Sequence, residues 1–194
     1  MNIDKIVNEI EKGNLVVTPT DTIYGIMGDA LNKDVIKKVF QIKNRSYNKP
    51  LILLMSNYNM IKEYTKNIQP KEKQLIKEYM PGLVTIILEK NEKVNNLITA
   101  NTNSVGVRIP DNKDLLEIIT RLNRPVISTS ANISLEKDIT KITDLEPDII
   151  NNVSYIYDAG IINNKSSTIV RFTNNKLEIL RHGELSQKLI EKFK

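Results

Sequence analysis

Residues 14–55 read NLVVTPTDTIYGIMGDALNKDVIKKVFQIKNRSYNKPLILLM. The apolar run Leu15, Val16 and Val17, closing on Thr18, has the β-branched character of a strand. It runs into the polar segment 18–25. Val35, Ile36, Val39 and Phe40 then mark one face of a helix about three turns long. A polar loop at 44–49 and Pro50 end that helix. The uninterrupted apolar run 51–55 predicts a strand buried on both faces. Strand, helix, strand is the grammar of an α/β sheet.

The same grammar extends outward. Ile3, Ile6, Val7 and Ile10 share one face of an opening helix, and Gly13 can cap its end. Residues 57–64 and 71–79 predict helices, Pro81-Gly82 breaks the chain, and 83–88 returns as a strand. Residues 104–110 and 125–129 predict strands on either side of a helix that carries Leu115, Leu116, Ile118, Ile119 and Leu122. Three late runs, 155–158, 167–172 and 176–180, are strand candidates. A short helix with Leu185, Leu189, Ile190 and Phe193 closes the chain. The late strands lack helices between them, so part of the sheet is expected to be antiparallel. The fold class is therefore α/β, a twisted open mixed sheet with helices on its faces. With no internal repeat and no Pro- or Gly-rich linker, residues 1–194 read as one domain.

Composition narrows the function. The chain has 194 residues, of which 40% are hydrophobic, enough to bury a core. Lys plus Arg number 28 against 23 Asp plus Glu, a net charge of +5 that favours anionic partners without singling one out. Lys71, Glu72 and Lys73 show the bland side of that charge, a solvated helix face. With no cysteine and one histidine, His182, disulfides, thiolate zinc sites, a Cys nucleophile and multi-His metal centres are excluded. No metal-ligating residues are singled out. No apolar run is long enough to span a membrane and the N-terminus has no apolar signal core, so a cytoplasmic protein is expected. The many Lys, Asn and Ile residues suggest no function.

Polar residues gather where strands give way to loops, the usual ligand-binding edge of an α/β sheet. Thr18, Thr20, Asp21, Thr22 and Tyr24 suit a small polar ligand, or simply a Thr- and Pro-rich turn. Lys43, Arg45 and Lys49 suit a phosphate clamp, with Arg gripping oxygens as a planar fork; cations also suit a helix C-terminus through the macrodipole alone. Ser128, Thr129, Ser130 and Asn132, with Ala131 between, allow close approach to a ligand or form a capping turn. Arg108 is the one charge in the strand VGVRIP. It pairs with a core carboxylate, or takes a substrate carboxylate, or faces solvent at an edge. There is no Walker-type loop, no G-x-G-x-x-G, and nothing that groups Ser, His and Asp as a triad.

Read together, PTDTIYG (19–25), KNRSYNKPL (43–51), MPGLVTIIL (80–88), VGVRIP (105–110), STSAN (128–132), STIVRF (167–172) and ILRHG (179–183) occur in that order over most of the chain. The set resembles the YrdC-like family of threonylcarbamoyl-AMP synthases, in its short, single-domain branch. The resemblance implies a sheet around a deep basic cavity. It also implies formation of threonylcarbamoyl-AMP and pyrophosphate from L-threonine, bicarbonate or CO2, and ATP accompanied by Mg2+. The threonylcarbamoyl group then goes to an adenosine beside the tRNA anticodon through a separate tRNA threonylcarbamoyl transferase complex.

Residue by residue, the resemblance places Lys43 and Arg45 on the phosphates and Ser130 and Asn132 at the nucleotide near the α-phosphate. Ser167 and Arg181 become late ATP contacts. Thr20, Tyr24, Arg108 and Thr129 become the threonine pocket, Arg108 holding the carboxylate. The chain departs from the family pattern in three places. A His that follows the Pro-Leu pair in many relatives is missing here after Pro50-Leu51. Arg171 stands where an acidic residue is common, and His182 where Pro is common. Two rivals remain. An RNA-binding module of the same fold would exploit the positive charge, though aromatics are 5% of the chain and Trp is absent. Carbamoyl transfer in metal-cofactor maturation would need zinc motifs and domains that the sequence lacks. Direct tRNA contact and oligomeric state are not legible.

Overall fold

The computed structural model describes residues 1–134, 136–162 and 164–193. In chain order the elements are α1 (Ile3–Glu11), β1 (Val16–Pro19), β2 (Tyr24–Asp29), α2 (Lys33–Ile42), β3 (Ile52–Leu54), α3 (Tyr58–Tyr64), α4 (Pro70–Tyr79), β4 (Val84–Glu89), β5 (Ser104–Arg108), α5 (Lys113–Leu122), β6 (Val126–Ser130), a 3-10 turn (Ile142–Asp144), α6 (Pro147–Ile150), β7 (Tyr155–Ile156), β8 (Thr168–Thr173), β9 (Lys176–Arg181) and α7 (Ser186–Lys192). The strands join one sheet in the order β7-β1-β2-β6-β3-β5-β4-β8-β9. The pairs β1–β7, β3–β5 and β4–β8 are parallel and the others antiparallel. The mixed α/β sheet read from the sequence is the one observed. Antiparallel pairing is not confined to the late strands, however; it also runs through β1, β2 and β6.

The sequence reading missed β2. It passed from the Thr-rich segment straight to α2, because YGIMGD has two glycines and weak strand propensity. Packing explains the glycines. A Cβ at Gly28 would lie 2.5 Å from Val35 Cγ1 and 2.6 Å from Leu15 Cδ2. The missing side chain lets α2 settle onto β2. At Gly25 a Cβ would meet Ser128 Oγ and Thr20 Cγ2 at 3.2 Å, so glycine keeps space open beside β6. The short α6 and the 3-10 turn were also missed.

Amphipathic periodicity gives the helices their seats. Ile6 and Ile10 of α1, and Leu115, Ile118 and Ile119 of α5, are fully buried. Each such side chain stabilises the fold by about 1.5–3 kcal/mol. At the C-terminus Phe193 packs edge-on to Phe172 of β8 with ring centroids 5.4 Å apart, and lies 6.3 Å from Tyr79 of α4.

The abundant asparagines have a structural use. Asn2, Asn32, Asn57 and Asn112 are N-caps whose side-chain oxygens accept from Lys5 N, Asp34 N, Met60 N and Leu115 N at 3.0–3.1 Å. Asn44, Asn67, Asn101, Asn123, Asn174 and Asn175 adopt positive φ. The chain has 7 glycines, and Asn takes over many left-handed turns.

Candidate active site

One cavity opens where β1, β2, β3, β5 and β6 end and the loops 20–23, 45–51 and 166–167 converge. Its lining includes Thr20, Asp21, Tyr24, Gly25, Arg45, Arg108, Ser128, Thr129, Ser130, Asp138, Ser167 and Arg181. Four segments distant in sequence are thus brought together. Of the residues singled out from the sequence, Thr18, Lys43, Lys49 and Asn132 are absent from this lining, and Lys43 and Asn132 stand behind it.

The β1–β2 hairpin builds one side. Thr20 Oγ1 donates to Ile23 O at 2.7 Å and accepts from Thr22 N and Ile23 N at 3.0 and 3.1 Å. Its hydroxyl closes the turn, so toward the cavity Thr20 offers mainly its shape. The Tyr24 hydroxyl donates to Gly160 O and accepts from Ala159 N, both at 2.8 Å. Burial pushes its pKa up, and it ties the loop after β7 to the hairpin.

Arg108, at the end of β5, resolves the three readings left open above. It is 4% exposed and forms an ion pair with Asp21 at 2.5 Å, while its Nε donates to Gly82 O at 2.9 Å. Nη1 has no hydrogen-bond partner among the described residues. Asp21, read from the sequence only as part of a polar loop and given no role, is 9% exposed. Its Oδ2 also accepts from Asp111 N at 2.9 Å, and its Oδ1 is buried without a partner.

The wall also carries Arg45 and Arg181. Arg45 follows Asn44, whose φ of 46° turns the chain out of α2. Its Nε and Nη2 donate to Lys49 O at 3.2 Å and Pro50 O at 2.8 Å. Those bonds fix the plane of the guanidinium. Arg181 of β9 donates to Ser167 O and Ser167 Oγ at 2.9 Å, and Ser167 Oγ lies 2.9 Å from Thr85 Oγ1. Asp138 is a second carboxylate on the wall that sequence reading overlooked; only its place in a polar loop after the Ser-Asn motif signalled it.

Lys43 is 1% exposed. Its ammonium donates to Ser130 O, Asn132 O and, at 3.1 Å, Asn132 Oδ1. Asn132 Oδ1 also accepts from Ser130 Oγ at 2.6 Å, and Asn132 Nδ2 donates to Glu136 O at 2.7 Å. Lys43 and Asn132 thus brace the loop that presents Ser130. Loss of water and the nearby Arg45 charge push the Lys43 pKa down to about 8, with Asp138 acting the other way.

The departures from the family pattern fall into place. Ile52 and Leu54 of β3 line the cavity after Pro50-Leu51, where the resemblance led to the expectation of a His. Arg171 pairs across the strand with Glu178, outside the cavity. His182 is exposed.

Comparison with known proteins agrees with this fold. The model of the Sua5/YciO/YrdC family, described as "Telomere recombination", matches residues 8–183. A Methanocaldococcus jannaschii protein, provisionally named a threonylcarbamoyl-AMP synthase, is 34% identical over 90% of this chain and 82% of its own length. The Pyrococcus abyssi threonylcarbamoyl-AMP synthase is 32% identical over 94% of this chain, which spans 54% of that enzyme. The crystal structure of P. abyssi Sua5 complexed with L-threonine superposes with a TM-score of 0.91 at 31% identity, covering 98% of this chain and 56% of that one. On its sequence, its fold and the match over most of its length, the chain belongs to the Sua5/YciO/YrdC family.

Proposed function

We propose that this protein is an L-threonylcarbamoyladenylate synthase, a nucleotidyltransferase that acts for tRNA modification. The observation that carries the reading is a single cavity whose wall holds two unlike sets of anion-binding groups. Arg108 presents an unengaged Nη1, framed by Thr20, Tyr24 and Thr129. Arg45 and Arg181, without an ion pair among the described residues, form the other set with Ser130 and Ser167. The first set suits the carboxylate of threonine, the substrate seen in the P. abyssi relative. The second gives the cavity a positive side for the phosphates of ATP.

The chemistry balances as follows. The amine of L-threonine adds to CO2, or to bicarbonate with loss of water, and gives up a proton to form a carbamate. A carbamate oxygen attacks the α-phosphorus of ATP, and the bond to the bridging oxygen of pyrophosphate breaks. Two anions must meet, so positioning and charge stabilisation are the main tasks. Arg45, Arg181, Ser130 and Ser167 hold phosphate oxygens. Lys43 and Asn132 keep Ser130 in place from behind.

Mg2+ would arrive on the triphosphate and neutralise part of its charge. Mg2+ needs few protein ligands when phosphates and water supply the rest. Asp138 fits that limited part, being the wall carboxylate without an ion pair among the described residues. Among those residues no cluster of three acidic or His side chains forms a dedicated metal cage.

Residues 1–194 act as one catalytic domain. No described helix is long and apolar enough to cross a membrane, which suits work in the cytoplasm. The product passes to a separate transferase complex that modifies the tRNA adenosine.

The test is pyrophosphate release by purified protein, with the adenylate product followed separately. Release should need ATP, threonine and bicarbonate together. Release at full rate without threonine would overturn the assignment. Salt-dependent RNA binding with no turnover would favour the RNA-binding alternative instead.

A further inference from the structure

The three arginines of the cavity are not equivalent. Arg108 has a carboxylate partner, Asp21, in a pair almost closed to solvent. Arg45 and Arg181 bond only to carbonyl and hydroxyl oxygens, and neither has an ion-pair partner among the described residues. One end of the cavity therefore holds a neutral pair with an internal dipole. Elsewhere on the wall stand two guanidiniums without an ion pair among the described residues, with Asp138 near enough to act on Arg181.

We propose that Asp21 sorts the two anionic substrates, by neutralising Arg108 so that this end accepts an amino-acid zwitterion and refuses a polyphosphate. An amino acid is itself a neutral dipole. Its carboxylate bonds Nη1 of Arg108, and its amino end lies in the field of the Asp21 carboxylate. Head-to-tail dipoles attract. A pyrophosphate or triphosphate group meets instead a cation already matched by an anion, with Asp21 Oδ1 unpartnered and adding repulsion. Sorting matters here because ATP and the pyrophosphate product share one cavity with the amino acid. A polyanion on Arg108 would block the reaction.

Burial supports a functional role for the pair. Taking both charges out of water is unfavourable, and a buried pair is weak grounds for stability. An unpartnered buried oxygen adds to the penalty. Asp21 acts through Arg108 and is a specificity-determining residue rather than a catalytic one. The inference rests on the reading that amino acid and nucleotide share this cavity.

The experiment is calorimetric titration of wild type and Asp21→Asn with inorganic pyrophosphate and with L-threonine. Asn keeps the shape and an oxygen for Arg108 but removes the charge. Wild type should bind one pyrophosphate, and threonine affinity should be indifferent to it. Asp21→Asn should bind a second pyrophosphate that threonine displaces. Its apparent threonine affinity should fall about tenfold or more when pyrophosphate is saturating. A single pyrophosphate and an unchanged threonine affinity in that variant would overturn the proposal. So would displacement of threonine by pyrophosphate in wild type, a result that does not depend on the variant folding. Asp21→Glu retains the charge and should behave as wild type. A purely structural role for Asp21 would lower the melting temperature without creating a second anion site. If neither protein binds threonine, the functional reading falls, while the pyrophosphate stoichiometry still decides the role of Asp21.

Discussion

The cavity wall at Arg45 and the buried layer behind it at Lys43 begin two residues apart and do opposite work. Asn44, with φ of 46°, sends the two side chains in different directions. Arg45 is anchored by the backbone of Lys49 and Pro50 and belongs to the wall. Lys43 turns inward and holds Ser130 and Asn132. A guanidinium can bond the protein with two nitrogens and still offer a third; an ammonium with three donors and three oxygen partners has none left. The K-x-R pattern thus joins a cavity-facing fork to an internal brace, and the two should respond differently to substitution.

Arg45 carries the largest expected effect. On the proposed function Arg45→Ala removes a fixed donor to the phosphates, so turnover should fall roughly 100-fold or more. The melting temperature should change little, because Arg45 is only half-buried. Arg45→Lys should rescue poorly, since a point charge does not reproduce the fork. Steady-state pyrophosphate release reads both. Near-normal turnover in the Ala variant would return Arg45 to the helix-end role that the macrodipole alone explains, and the contrast with Lys43 would collapse.

Lys43 should show itself in stability and pH. Lys43→Met leaves the oxygens of Ser130 and Asn132 without their donor, and the fold should lose about 1–3 kcal/mol in denaturant melts. The pH dependence has a definite sign. The folded pKa is about 8 against a model-compound value of 10.5, so between these values the unfolded chain binds more protons than the folded one. The contribution of Lys43 to stability is therefore least favourable below pH 8. It rises through that window, by up to about 3 kcal/mol, while Lys43→Met lacks this dependence. Turnover should move the other way, since above pH 8 the amine has two N–H donors for three oxygens and the Ser130 loop loosens. Stability and activity trends that run in parallel would break the brace assignment.

Much of the fold was visible in the sequence but this contrast was not, for Lys43 and Arg45 were both read as phosphate contacts. Periodicity located every long helix and most strands, because Ile6 and Ile10, or Leu115 and Ile119, are periodic for the reason they are buried. Strand β2 was hidden because Gly25 and Gly28 serve close packing against Ser128, Val35 and Leu15, a tertiary demand that no local propensity carries. Motif order brought Arg45, Arg108, Ser130 and Arg181 to one cavity. It gave no hint that Lys43 stands behind the wall, or that Asp21 is the partner of Arg108. Pairings across 87 residues, as for Lys43 with Ser130 and for Arg108 with Asp21, depend on strand order, which composition and spacing do not encode.

Arg171 supplies the smallest effect and calibrates the other two. It is a cation like Lys43 and Arg45, and at first sight an anomaly, standing where an acidic residue is common in the family. On β8 it lies directly opposite Glu178 of β9, with Nε 3.1 Å from Glu178 Oε2, and both side chains are well exposed, 49% and 39%. The hydrogen bond from Arg171 holds the Glu178 carboxyl below its usual pKa, so whatever the pair adds is present near neutrality and fades as acid protonates Glu178. Water and salt screen exposed pairs strongly. Arg171→Ala should therefore shift the melting temperature by no more than about 2 °C at neutral pH. The shift should shrink in high salt, and turnover should stay at the wild-type level. The measurement is a melt at two ionic strengths beside the pyrophosphate assay. A clear loss of turnover would mean that the outer face of β8 reaches the reaction, and that position within the cavity is not what separates working cations from surface ones.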